Sequence, residues 1–262
     1  MVKQEIRKIV ILGAGRVAEN LGVALRKKNY TILEVWNRSE TKGLSLAKRL
    51  KAKYIQVLEH ISLDADLYIL TVSDDAIKQV LERLDIGDHL LVHTSGSVDM
   101  NILGMAATDF GVIYPLQTFR TDRRISFRNV PLCIEASSDE NLRRLKAFTD
   151  SISHRVFKLD SDQRRVLHLS AVFASNFSNF LVAVSQDLLR NKGIDPTILE
   201  SLIKYTAENS KSPSVFDFQT GPAIREDMDT IAMHLDMLSA YPEYKEIYSL
   251  LTEDIIKHKK KI

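Results

Sequence analysis

"KIVILGAGRVAENLGVAL", residues 8–25, decides the fold. Four successive apolar residues, Ile9 to Leu12, end at a glycine. A short run that is apolar on both alternating faces reads as a strand covered on both sides, the habit of a parallel sheet. Val17, Leu21, Ala24 and Leu25 then recur at helical spacing. The junction, Gly13 to Ala18, matches G-x-G-x-x-A. In a strand–turn–helix setting the first glycine takes the tight turn, and the second lets a pyrophosphate approach the backbone. The alanine allows helix and strand to pack closely. The helix start at Arg16 and Val17 then offers free N–H groups and a positive dipole end to phosphate. Gly13, Gly15, Arg16 and Val17 are therefore the candidate dinucleotide contacts.

The next strand, "TILEVW", ends at Asn37, 24 residues after Gly13. There a dinucleotide fold that reads NAD places an acid against the ribose hydroxyls. Here the chain has Asn37, Arg38 and Ser39. A carboxylate would repel a 2′-phosphate, whereas a guanidinium offers it a planar charged fork. Ser39 adds a hydroxyl and caps the following helix. The expected cofactor is NADP(H).

Strands continue to alternate with helices: "ADLYILTV", "DDAIKQVLERL", "HLLVHT", "GVIYP", "PLCIEA", "DENLRRLKAFTDSI" and "HRVFKL". That alternation predicts a doubly wound α/β domain over residues 1–160. From Ser161 strand signals almost vanish, so residues 161–262 are read as an all-α domain. A long helix runs from about Asp162 to Gly193, and its apolar residues cover far more than one stripe. Such a helix needs wrapping on most sides, which suggests a second chain.

Composition bounds the rest. The 262 residues are 45% hydrophobic and 27% charged, the balance of a globular protein. A net charge of +2 gives no footprint for nucleic acid or membrane. The basic end, "KHKKKI", reads as a solvated, frayed tail. No signal peptide is evident, and no apolar run approaches the roughly 20 residues of a membrane span. The lone Cys133 excludes an internal disulfide. A cytoplasmic setting is expected, with no metal, because the acids and histidines lack ligand spacing.

Ligands gather at the carboxyl ends of strands in such sheets. That places Val72 and Ser73 near the cofactor, Ser95 and Gly96 beside the nicotinamide, and Gln117 in the cleft. Asp74 reads as the cap of the helix at 75–84. On the long helix, His168 precedes Asn176 by eight residues, roughly on one face, and imidazole suits acid–base work near neutral pH. Ser175 is a weaker candidate. In "TGPAIREDMDT", Gly221 and Pro222 break the chain, and Arg225, Glu226 and Asp227 open a helix. Arg225 suits a substrate carboxylate or phosphate, or else a pairing with Glu226 or Asp227; Asp227 suits capping. His234 shares a face with Asp227.

Taken in order, "ILGAGRVAENLGVAL", "VWNRSE", "TVSDDAI", "VHTSGSV", "GVIYPLQTF", "VFASNF" and "TGPAIREDMDTIAMHL" resemble a family of NADP oxidoreductases. Its members join a Rossmann-like N-domain to a helical C-domain of unknown function. The family is similar to pyrroline-5-carboxylate reductase and, more distantly, to the 6-phosphogluconate and 3-hydroxyisobutyrate dehydrogenases. The resemblance implies a homodimer through the helical domain. It also implies a small carbonyl or imine substrate held between the domains, near His168, Asn176, Ser95 and Gln117. The related dehydrogenases carry a lysine one helical turn before the asparagine, where this chain has Val172 and Phe173. Two other readings stand beside the reductase: hydride exchange between NADP and a deazaflavin, and an NADPH-binding sensor or scaffold without catalysis.

Overall fold

The protein is described by a computed structural model, which covers residues 5–120, 125–212 and 215–259. It divides into two compact units, residues 1–175 and 176–262.

The first unit is built on one eight-stranded sheet. Its strands are β1 (Lys8–Leu12), β2 (Thr31–Trp36), β3 (Lys53–Ile55), β4 (Leu67–Leu70), β5 (Leu90–His93), β6 (Asp109–Pro115), β7 (Leu132–Ala136) and β8 (Val156–Lys158). They lie in the order β3-β2-β1-β4-β5-β6-β7-β8. All neighbours are parallel except β6 and β7. The doubly wound reading is therefore right, with one reversed strand pair added. The order reverses between β1 and β4, which opens a crevice at their carboxyl ends.

The unbroken apolar runs follow from cover on both faces. Ile9 and Ile11 pack with Leu21 and Leu25 of α1 (Arg16–Lys27) and with Leu46 and Leu50 of α2 (Glu40–Leu50). Val10 and Leu12 point the other way, onto Ile77 and Leu81 of α3 (Asp74–Leu81). On the first face α4 (Asp139–Asp150) adds Leu145 and Phe148. A smaller cluster of Met100, Val112, Tyr114 and Cys133 fills the space around β6 and β7. Strand β3, "KYI", was not expected from the sequence; three edge residues are too few to show a period.

Helix α5 (Ser161–Ala171) begins with a full capping box, Asp160 with Gln163. It runs on through a π-helical turn, Val172–Phe177, into α6 (Ser178–Arg190). The 30-residue stretch is long and apolar enough to cross a membrane, by length and composition alone. That corrects the expectation that no run approaches span length. Its charges sit near its ends, and residues 166–186 contain none, although serines and asparagines interrupt the apolar pattern. A helix wrapped by protein passes the same test. Val166, Leu169, Phe173, Phe177 and Phe180 are all about half exposed or more in the single chain.

The second unit contains α6, α7 (Glu200–Asn209), α8 (Pro222–Arg225), α9 (Met228–Met237) and α10 (Pro242–Lys259). Arg225 and Glu226 do not open a helix, contrary to the sequence reading. Arg225 ends the short α8, and Glu226 takes a left-handed conformation at φ 55°. Asp227 then caps α9, accepting from the Thr230 N–H at 3.2 Å. Of the basic tail, Lys257 to Lys259 are helical, and residues 260–262 lie outside the described ones.

Candidate functional site

A cleft of about 550 Å³ lies where β1 and β4 part. Gly13, Ala14 and Gly15 form its floor, with Thr71, Val72 and Ser73 on one side and Asn37, Arg38 and Ser39 on the other. The two glycines serve different ends. Gly13 sits at φ +120°, and a Cβ there would meet Thr71 Oγ1 at 2.7 Å. Thr71 in turn donates from N and from Oγ1 to the Leu12 carbonyl. Gly13 thus serves the crossing of two strands. A Cβ on Gly15 would meet only the Thr71 carbonyl oxygen, at 3.8 Å. No described residue demands that glycine; what its missing side chain leaves open is the cleft.

Asn37 aligns the loop with the end of β2. Its Oδ1 accepts from the Ala14 N–H at 3.0 Å, and its Nδ2 donates to the Ser39 carbonyl at 2.8 Å. These two bonds let the amide shape the glycine loop. Arg38 and, one helical turn on, Lys42 are exposed along the cleft, with no hydrogen bond or ion pair to a described residue. Lys42 was missed in the sequence because it stands inside a helix that reads as merely amphipathic. Ser39 occupies the N-cap position of α2 without a side-chain bond. Arg16 is exposed and Val17 half-buried at the start of α1. At the far end Arg83 is held by a two-pronged pair to Glu59, at 2.9 and 3.0 Å.

A second group gathers at the carboxyl ends of β5 and β6. The Ser95 hydroxyl accepts from the N–H groups of Ser97 and Val98, both at 3.1 Å. Ser95 is buried and committed to the turn it makes. The Ser97 hydroxyl donates to Asp74. Asp74 is the first residue of α3, with Ser73 at the cap position, so it ties two loops together rather than capping. Gln117 turns back on its own loop, accepting from the Thr118 N–H at 2.8 Å. Ser175 meets Thr118 hydroxyl to hydroxyl at 3.3 Å.

The histidine on α5 has a partner that sequence reading missed. Tyr114 Oη lies 3.0 Å from His168 Nδ1. The rings meet edge to face, 5.9 Å apart. Burial first, and Cys133 beside it, push the phenol up to about 12. Gly96 is pressed against both rings: a Cβ there would stand 2.6 Å from His168 Nδ1 and 2.9 Å from Tyr114 Cζ. The available signal was the place of Tyr114 at a carboxyl strand end.

Beneath this group lies a buried charge pair. Arg164, 1% exposed, pairs with Glu135 on β7 and donates to the Val98 carbonyl and to Ser161 Oγ. Glu135 also accepts from the Ser161 N–H and hydroxyl, at 3.0 and 2.9 Å. One guanidinium therefore joins α5, β7 and the loop after β5, one helical turn before His168. Nearby, His93 is wholly buried, and its Nδ1 accepts from the Ser95 N–H at 3.2 Å. Burial first, then the Arg164 cation, hold it down to about 4, so it is neutral.

In the second unit, Asn176 follows Ser175 on the π-helical turn. Asp227 is occupied in capping, and Arg225 lies 4.0 Å from its carboxylate. His234 Nδ1 is bonded to Tyr248 Oη at 2.8 Å, not to Asp227.

Comparison with known proteins agrees with this geometry. Residues 8–96 match the family described as NADP oxidoreductase, coenzyme F420-dependent, and residues 130–255 match a domain of unknown function, DUF2520. No curated protein matches the chain. Among solved structures, BF3122 of Bacteroides fragilis, provisionally described as an NADP oxidoreductase, is 37% identical. The likeness covers 97% of this chain and 98% of that one, with a TM-score of 0.90. An imine reductase from Myxococcus stipitatus in complex with NADP+ is 18% identical over 97% of this chain and 93% of its own, with a TM-score of 0.65. A pyrroline-5-carboxylate reductase from Coxiella burnetii is 17% identical over 98% of each chain, with a TM-score of 0.60. These two share the fold. The near-complete likeness to BF3122, with both halves matched in order, places the chain in the family of NADP oxidoreductases that carry a DUF2520 C-terminal domain.

Proposed function

We propose that the protein binds NADP(H) in the β1–β4 cleft and reduces, or oxidises in reverse, a small carbonyl or imine compound. The observation that carries this reading is the pairing of an open Gly15 with two exposed cations, Arg38 and Lys42, on the rim where the ribose phosphate would lie; Arg38 meets only the through-space charge of Asp75. Gly15 and the N-terminus of α1 would face the pyrophosphate, and Val72 and Ser73 the adjoining ribose. When bound, the nicotinamide supplies the hydride. The chain's share is to orient it beside the Ser95–Gly96 turn and to offer His168 to the substrate heteroatom. Asn176 is proposed as a substrate contact on residue chemistry and resemblance. Gln117 and Arg225 are further candidates of that kind. The helical second unit is proposed to form a homodimer, supported by its exposed apolar side chains. Exchange of hydride with a deazaflavin is the second reading, favoured by the family description of residues 8–96.

Calorimetric titration with NADPH and NADH tests the first reading, using wild type, Arg38→Ala and Gly15→Ala. The expected preference is for NADPH, reduced about tenfold or more by Arg38→Ala, the weight of one charge-assisted bond. Gly15→Ala should weaken both cofactors while leaving thermal stability unchanged, since the added methyl has room. No binding of either cofactor by wild type would remove the proposal. NADPH formation from reduced deazaflavin and NADP+ separates the second reading.

A further inference from the structure

The contact between Tyr114 and His168 has a direction. Tyr114 is 9% exposed, and its hydroxyl has one partner among the described residues, His168 Nδ1 at 3.0 Å. A buried hydroxyl whose only neighbour can supply a lone pair donates to it, because aiming elsewhere leaves the O–H unsatisfied. The phenol keeps its proton across the working range, since burial raises its pKa to about 12. The imidazole has little room to turn away. Gly96 lies flat against it, leaving space that even one methyl would close. Arg164 anchors the same helix one turn earlier.

We propose that Tyr114 is a positioning residue which, by donating to Nδ1, fixes His168 as the Nε2–H tautomer, and that this N–H donates to the substrate heteroatom. The proposal rests on the reductase reading above. His168 Nε2 has no partner among the described residues. A neutral imidazole held this way offers Nε2 only as a donor. The atom it meets must therefore carry a lone pair: a carbonyl oxygen or a neutral imine nitrogen. An iminium ion has no lone pair on nitrogen, and this donor gives it nothing. As hydride reaches the carbon, the π pair moves onto the heteroatom; the pre-oriented N–H stabilises that charge, and solvent water supplies the proton that completes the alcohol or amine. The donor thus assists neutral carbonyls and imines and leaves iminium ions at their intrinsic rate.

The test uses full-length protein labelled with ¹⁵N-histidine. Two-bond ¹H–¹⁵N correlation at pH 8 distinguishes the tautomers, and a His168→Gln spectrum assigns the signal. Wild type is expected as Nε2–H. Tyr114→Phe, which keeps the ring, should give a mixture. Gly96→Ala should do the same with the phenol intact, by displacing the imidazole. An Nδ1–H tautomer in wild type, or an unchanged signal in Tyr114→Phe, would overturn the proposal. NADPH titration is read separately: failure there removes the reductase reading, whereas a wrong tautomer removes this one. For the substrate class, NADPH oxidation is followed with cyclopentanone and with N-methyl-1-pyrrolinium, a permanent iminium. His168→Ala should slow the ketone about tenfold or more and leave the pyrrolinium rate unchanged, because the lost N–H serves only an acceptor with a lone pair. An equal loss with both compounds, or no loss with the ketone, would overturn the assignment.

Discussion

His93 shows how one buried side chain links the site to pH. Its native pKa of about 4 lies below the ordinary value of 6.5. In the unfolded chain it takes up a proton near pH 6.5, while the folded chain refuses it until about pH 4. Its contribution is therefore complete above pH 6.5, shrinks as the pH falls, and is gone below about 4. A shift of this size corresponds to roughly 3 kcal/mol over that window. Urea denaturation of wild type and His93→Asn at pH 8, 6, 5 and 4 measures it; the asparagine oxygen can still accept from Ser95. Wild type should lose the extra stability with acid, and identical slopes for both proteins would refute the assignment. The glycines make the complementary point at this scale. Gly13 and Gly15 are indistinguishable as letters in a motif, yet one is required by Thr71 and the other by no described residue.

Among elements, the joint of α5, β7 and the β5 loop is centred on the Arg164–Glu135 ion pair, with Ser161 and the Val98 carbonyl bonded to it. Removing one buried partner costs about 3–5 kcal/mol, because the other charge is stranded; removing both costs far less. Arg164→Met should therefore destabilise more than Arg164→Met combined with Glu135→Gln, as measured by chemical denaturation. Equal losses would show that packing, not charge, makes the joint. This arrangement was illegible in the sequence for a physical reason. Arg164 reads as one more charge in a helix start, "SDQRRV", and Glu135 as the polar end of a strand. Only the antiparallel turn of β7 brings them together. The central strands were legible because cover on both faces leaves an unbroken apolar run, as in Ile9 to Leu12. The cofactor cleft was legible because its parts are local: one loop and one strand end. Tyr114 was not, since its partner lies 54 residues away. Nor was the π-helical turn, whose apolar and small residues also suit an ordinary helix.

For the whole molecule, the proposed homodimer draws its support from the half-exposed apolar residues of the long helix and of the second unit. Phe180, Leu202, Tyr205 and Met237 are each at least 50% exposed in the single chain. A soluble protein rarely leaves so much apolar surface uncovered. Sedimentation should show a particle of twice the 29.7 kDa chain mass, and Phe180→Asp should shift it toward monomer. A wild-type monomer at micromolar concentration would end the dimer proposal. The lone cysteine offers a different view of the same molecule. Cys133 pairs with Tyr114 across β6 and β7, is 2% exposed, and has its thiol raised to about 11 by burial. While the sheet is closed it is neither reachable nor ionised, and alkylating reagents react with thiolate. Its rate of alkylation is therefore a clock for local opening. With no second cysteine to confuse the count, the chain carries its own chemical reporter of breathing beneath the proposed proton-bearing pair.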